Sequence, residues 1–371
     1  MLQKALGLVF VVASFIGFIG CGTTANHYIY AALPAANQII AYREDPNSGV
    51  LTQIAGSPYS VGNGAHSLAL HPSGKFLYAA NPGVAGSSES DISLFSIATD
   101  GVLTEVFPRT SVAPNASLPQ LLLMDPAGAF LYVANAGSNN ISVFSIDSGT
   151  GVLAPVTGSP FSIGASPLNM QLTPSGNFLF VSVPSLTSGL ILGFSVNAGA
   201  LTLVSQINTD GPNPNGLAID PSGTHLYAAN SGSNSISIFT ISPSGLPAGS
   251  LAEVSGSPIN AGYLVPVALI LDAKGQFLYV ANQGSNNVAV FSINSTTGLP
   301  NILTTSTTTG AFGTESSPSF LVEDPSGKYL YVGNQGSSAG IQAFSISAGN
   351  LTALSTYQVG NTPNSIVVLG K

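Results

Sequence analysis

Tryptophan is absent from the 371 residues, cysteine occurs once, and only 6% of the side chains are charged. A single cysteine cannot close an intramolecular disulfide, and metal sites built on several thiolates are excluded. Seven Lys and Arg against fifteen Asp and Glu leave a formal charge of −8. Cations that sparse cannot neutralise a run of phosphates, so nucleic acid is not an expected partner. Soluble domains ordinarily carry about a quarter of their residues charged; here neutral polar groups must keep the surface wet. The 42 Gly and 25 Pro make up about 18% of the chain, below the roughly 25–30% of low-complexity sequence. With 44% hydrophobic residues available for a core, disorder and collagen are excluded as well.

The one long apolar run, residues 5–20, follows a short segment holding Lys4 and ends at Cys21. That layout is a bacterial signal peptide. A membrane-spanning helix needs about 20 apolar residues with anchoring flanks, whereas this run is followed by small polar residues. Phe18-Ile19-Gly20-Cys21 resembles the lipobox of bacterial lipoproteins, in which the cysteine is lipidated and becomes the first residue of the mature protein. The expected organisation is a signal peptide over 1–20, a short tether over 21–26 and one domain over 27–371. Acyl chains contribute about 0.8 kcal/mol per buried methylene, so lipidation at Cys21 would hold the domain on a membrane of the cell envelope, at the outer membrane or the periplasmic face.

A segment of the form FLYVAN recurs seven times, around Tyr30, Tyr78, Tyr132, Phe180, Tyr227, Tyr279 and Tyr331, at separations of 47 to 54 residues. A period near fifty suits a four-stranded unit. Each unit has an apolar stretch, a turn such as Asp220-Pro221-Ser222-Gly223, the aromatic strand, a Gly/Ser/Asn connector, a strand such as ISVFSI, and a less regular fourth strand. Proline presets a turn's first central position and glycine supplies positive φ, so Asp125, Asp220, Asp272 and Asp324 read as turn formers. The first unit lacks its opening strand, and residues 362–369 form an opening strand with nothing after it. The expected fold is all-β: a seven-bladed β-propeller with four antiparallel strands per blade, closed by the C-terminal strand completing the N-terminal blade.

These DPSGKFLYVAN, GSNNISVFSI and GVL repeats resemble the seven-bladed β-propeller lactonase family, which includes a class of 6-phosphogluconolactonases. The resemblance covers nearly all of residues 27–371. It implies hydrolysis of a sugar lactone or related cyclic ester, a carboxylic ester, without a cofactor. His66-Ser67 matches a His-Ser pair that opens a first strand in the enzymatic members, while their Pro-Arg-His stretch is missing here, the closest segment being Pro212-Asn213-Pro214-Asn215. Because fold does not fix function, a second reading stays open: a non-catalytic propeller that binds an envelope glycan, peptide or protein. In either reading a monomer is expected.

Strand order sorts the polar residues by face. His27, His71 and His225 fall on the face of the Asp-Pro turns and His66 falls on the opposite face, so His66 has no histidine neighbours and no metal site is expected. Aligned on the turns, Ala65 and six prolines form one column, and the next column holds His66, Gln120, Leu168, Asn215, Val267, Ser319 and Asn364. Innermost strands line a propeller's channel, so Gln120, Asn215, Ser319 and Asn364 with His66 would ring its mouth as a small-ligand site or would instead satisfy backbone at the strand entries. Glu89, Asp91, Asp210, Arg109 and Glu315 lie in loops on that face. His66 with Arg109 and a carboxylate such as Glu315 would suffice to open a lactone: the imidazole or carboxylate activates water and the guanidinium stabilises the oxyanion. Lys75, Lys274 and Lys328 fall on the turn face, which favours an unphosphorylated lactone. Arg43 and Glu44 replace a Ser-Ile pair on a third strand and are expected to form a surface pair.

Overall fold

Seven antiparallel sheets follow one another along the chain, and the computed structural model describes them through residues 26–83, 89–112, 114–185, 187–244, 247–304 and 310–370. The signal segment and Cys21 lie outside the described residues. Blade 2 shows the pattern, running Ser67–Leu70, Phe76–Asn81, Asp91–Ile97 and Leu103–Ser111 in spatial order. Blade 1 is built from both ends of the domain: Ser365–Gly370 pairs antiparallel with His27–Leu33, which pairs with Gln38–Glu44 and then Leu51–Gln53. The innermost strand of each blade packs against that of the next all the way round, including the closing strand against blades 2 and 7. The ring is therefore shut.

The turns led by aspartate behave as their residues dictate. Asp220 Oδ1 accepts the amides of Thr224 and His225 at 2.7 and 2.9 Å, and Asp272 and Asp324 do the same in their own blades. In blades 1, 3, 5 and 6 the fourth strand is broken into two short pieces. A Gly-Ser-Pro turn interrupts three of them, and its serine hydroxyl replaces the missing ladder carbonyl: Ser57, Ser159 and Ser257 accept the amides of Ala41, Val143 and Ile238 at 2.8 to 2.9 Å.

The core is not one cluster but seven wedges, one between each pair of adjacent blades. Alternate residues of each second and third strand point to opposite neighbours, so both faces of every sheet are apolar. The repeated aromatic spans the wedge with its ring, and in four blades its hydroxyl ends on a carbonyl of the next blade. Tyr30, Tyr78 and Tyr227 donate to the carbonyls of Gly101, Gly151 and Gly298 at 2.9, 2.7 and 2.9 Å. Tyr331 closes the circuit on Gly49 of blade 1 at 3.3 Å. The hydroxyls of Tyr132 and Tyr279 are buried without such a partner. Replacing Tyr78 by Phe should therefore cost about 1 kcal/mol of stability in urea denaturation, while Tyr132→Phe and Tyr279→Phe should be neutral or stabilising. Equal losses at all three positions would show that the hydroxyl bonds do not tie the blades.

Candidate functional site

The innermost strands enclose a chamber of about 250 Å³ on the ring axis. Much of its wall is aliphatic, including Leu68, Leu121, Leu217 and Leu269. Its polar groups are His66, Ser67, Asn169, Gln171, Asn364 and Ser365. Blade 4 shows why the two amides face inward: Met170 and Leu172 are buried in the wedge, so period-2 alternation turns Asn169 and Gln171 to the other side.

His66 is half-buried, and its Nδ1 lies 3.0 Å from the main-chain carbonyl of Gln120 in the next blade. A carbonyl only accepts, so Nδ1 carries the proton and Nε2 keeps the lone pair. Burial pushes the His66 pKa below the usual imidazole value, and the bond to Gln120 opposes this only partly. The ring is thereby held neutral, with its basic nitrogen specified by backbone. Asn364 Oδ1 accepts Gln335 Nε2 at 2.9 Å, which fixes the amide so that its NH₂ group is the end left to donate. Other polar groups join blades. Ser67 and Ser365 accept the amides of Leu122 and Leu68 at 3.0 and 3.1 Å, and Asn169 donates to the carbonyl of Asn215 at 3.0 Å.

The expected mouth ring is only partly assembled. Asn364 lines the chamber with His66. Gln120 contributes its carbonyl, not its side-chain amide. Asn215 donates to Ser231 Oγ at 2.9 Å, and Ser319 donates to the carbonyl of Gly333 at 3.1 Å, so these two serve the strand entries. The physical reason is a β-bulge just after the proline in blades 3, 5, 6 and 7, where Gln120, Asn215, Val267 and Ser319 are skipped by the pairing register. The residue before each proline, Leu118, Asn213, Val265 or Ser317, is left-handed with φ between 51 and 58°. For Leu and Val that conformation is costly, and it is pinned by bonds such as Val265 N to Asn234 Oδ1 at 2.7 Å. In these four blades the bulge moves the inward-facing column on by one residue. In blade 4, which pairs without a register shift, counting period 2 back from the Thr173-Pro174 turn would have found Asn169 and Gln171.

The expected charged partners of His66 lie elsewhere. Arg109 is in the outermost strand of blade 2, not in a connector, and its guanidinium forks onto Glu105 with Nε to Oε1 at 2.7 Å. Glu105 in turn accepts from Ser93, which accepts from the buried Asn81. This network stays within blade 2. Glu315 has its amide on Gln342 Oε1 at 3.0 Å and its carboxylate by Thr356, on the outer strands of blade 7. Neither residue lines the chamber, and none of Arg43, Lys75, Lys274 or Lys328 does so either. One further expectation needs correction on the turn face. Glu44 is not part of a surface pair: it is 1% exposed, whereas Arg43 beside it is exposed. The strand register sets His27 opposite Glu44, and the blade 7 turn brings Asp324 over both.

A closed seven-bladed propeller with a single neutral histidine in its axial chamber defines the structural class. The chain belongs to the family described as Lactonase, 7-bladed beta-propeller, whose model matches residues 23–166, 161–265, 226–313 and 265–369. It is 25% identical over 349 residues to the 6-phosphogluconolactonase of Yersinia pestis (strain Pestoides F), covering 92% of this chain and 98% of that one. It is 24% identical over 350 residues to that of Serratia proteamaculans (strain 568), covering 92% and 99%. Among solved structures, the periplasmic gluconolactonase PpgL of Pseudomonas aeruginosa matches with a TM-score of 0.75 at 19% identity, covering 93% of this chain and 99% of that one. A protein from Lactobacillus plantarum matches at 0.76 and 20%, with the same coverage. These structures share the fold.

Proposed function

We propose that this chain is a lactonase that hydrolyses an uncharged sugar lactone or similar cyclic ester in the axial chamber, with His66 as general base. The observation that carries the reading is the bond from His66 Nδ1 to the Gln120 carbonyl, which dedicates Nε2 to accepting a proton. In the reaction, Nε2 takes a proton from water as the water oxygen bonds to the lactone carbonyl carbon. The resulting oxyanion is met by amide donors of the chamber such as Asn364 and Gln171. Collapse breaks the ring C–O bond, and the imidazolium returns its proton to the departing ring oxygen. The relatives named as 6-phosphogluconolactonases and as a gluconolactonase support the reaction class. Among the described residues no lysine or arginine lines the wall, which argues for a substrate without phosphate.

Initial rates on matched neutral and phosphorylated aldonolactones test this reading. Turnover of the neutral lactones, with the phosphorylated ones slower, is the expected result, and Arg109→Ala should match wild type because its guanidinium serves Glu105. Failure to turn over any lactone would sink the reading and leave a non-catalytic binding propeller. Residues 5–21 support export and anchoring through Cys21. Cys21→Ser should then move the protein from the membrane fraction to the soluble envelope fraction.

A further inference from the structure

Blade 1 departs from the repeat at the end of its third strand. Six blades place Ile or Val there, at Ile97, Ile146, Val196, Ile241, Ile293 and Ile346, and blade 1 places Glu44. Its side chain is fully buried, and neither carboxylate oxygen has a hydrogen bond of ordinary geometry. Burying an unpaired carboxylate costs several kcal/mol by any estimate, so something must compensate. What faces it is His27 Nδ1 at 3.3 Å from Oε2, itself without a hydrogen bond, and beyond that Asp324 Oδ2 at 3.6 Å from the same nitrogen. The Tyr331 hydroxyl also faces Glu44. Among the described residues no lysine or arginine pairs with either carboxylate, and Arg43 is exposed.

Three ligand atoms from three segments thus lie within 4.8 Å of one another. An ion bound to nitrogen and oxygen at about 2.0–2.1 Å in tetrahedral geometry separates its ligands by about 3.3–3.4 Å. The observed 3.3 and 3.6 Å are close to that edge length. A neutral imidazole and two carboxylates sum to the charge that a divalent ion cancels. One nitrogen and a few oxygens suit zinc-like first-row ions; calcium takes six to eight oxygens. Asp324 is already oriented by the Ser326 amide at 2.9 Å and by the Ser326 hydroxyl on the same oxygen, the outer-sphere support that ligating carboxylates receive.

We propose that His27 Nδ1, Glu44 Oε2 and Asp324 Oδ2 bind one divalent transition-metal ion, which clamps blade 1 to blade 7 at the seam where the ring closes. His27 and Glu44 belong to blade 1 and Asp324 to blade 7, so the ion ties the first strand of the domain to the last full blade. The site is on the turn face, away from His66, and its occupancy is independent of the lactonase reading.

The chain, stripped with a chelator and then freed of it, is titrated calorimetrically with Zn²⁺ and with Co²⁺, and its thermal midpoint is measured with and without each ion. One equivalent of metal, a midpoint that rises with metal concentration, and visible Co²⁺ absorption are expected. His27→Gln and Glu44→Gln should weaken binding by at least the roughly 10- to 100-fold that loss of an outer-sphere partner causes, with the far-ultraviolet circular dichroism unchanged. Absence of binding by the wild-type chain overturns the proposal. Equal binding by wild type and both variants overturns it too, because the ion then sits elsewhere. The wild-type titration decides even if a variant fails to fold.

Discussion

Deletion of residues 362–371 gives a chain that aggregates or is cut rapidly by protease, with no cooperative unfolding at the wild-type midpoint. Three losses combine. Strand Ser365–Gly370 pairs with His27–Ala32 through six registered residues, and without it the edge of a strand that is buried along its whole length faces water. Such an edge templates pairing with other chains. Ile366 belongs to the wedge between blades 7 and 1 and Leu369 to that between blades 1 and 2, so both junctions thin together. Two such side chains contribute about 3–6 kcal/mol, which is comparable with the roughly 5–15 kcal/mol net stability of a whole domain. Ser365 Oγ also accepts the amide of Leu68, so a buried donor in blade 2 is orphaned. Solubility, limited proteolysis and scanning calorimetry read the outcome. A truncated chain with an unchanged midpoint would mean that the ring does not depend on the joint between its two ends.

The blades were legible in the sequence because each is specified locally. Gly-ended turns, period-2 strands and an aromatic at a fixed place, tyrosine in six blades and Phe180 in the other, recur from blade to blade, and the copies agree with one another. Closure was legible from arithmetic, since a missing opening strand at one end and a surplus one at the other can only meet. The site was legible in part, for a reason that lies in the backbone. His66 could be placed on the channel by strand order alone. Which side chains accompany it depends on the register of each opening strand, and a slip of one residue moves every side chain to the other face. A bulge after the proline takes Asn215 and Ser319 out of the chamber, and in blade 4 plain alternation against the buried Met170 and Leu172 turns Asn169 and Gln171 into it. Arg109 and Glu315 illustrate a different limit. Charges near the surface find partners through side-chain reach, and Glu105, four residues from Arg109 on the same outer strand, is far nearer than the channel. Glu44 shows that a charge replacing a repeat's aliphatic residue should be read as buried first, because position in the repeat fixes burial before residue type does.

Replacing His66 by glutamine or alanine should lower kcat on a neutral lactone by about 10²- to 10⁴-fold, the usual contribution of a positioned general base, with KM little changed. A loss confined to KM would make His66 a binding residue and remove the proposed base. The pH dependence is the sharper measurement. Desolvation penalises the charged imidazole, so the folded-state pKa of His66 lies below the ordinary 6.5. The free base therefore persists on acidification, and the acid limb of the kcat/KM profile should fall below pH 6.5, not at or above it. The same shift has a stability consequence with a definite sign. Between 6.5 and the lower folded value the unfolded chain binds the proton that the folded chain refuses, so His66 makes stability decline as pH falls through that window, and its effect levels off below it. His66→Gln should remove that part of the slope as well as the catalytic limb. If the variant loses activity but keeps the wild-type pH dependence of unfolding, the imidazole is not held neutral by burial. An acid limb at or above 6.5 would point the same way, since an imidazole freed from that desolvation titrates at its ordinary value or higher.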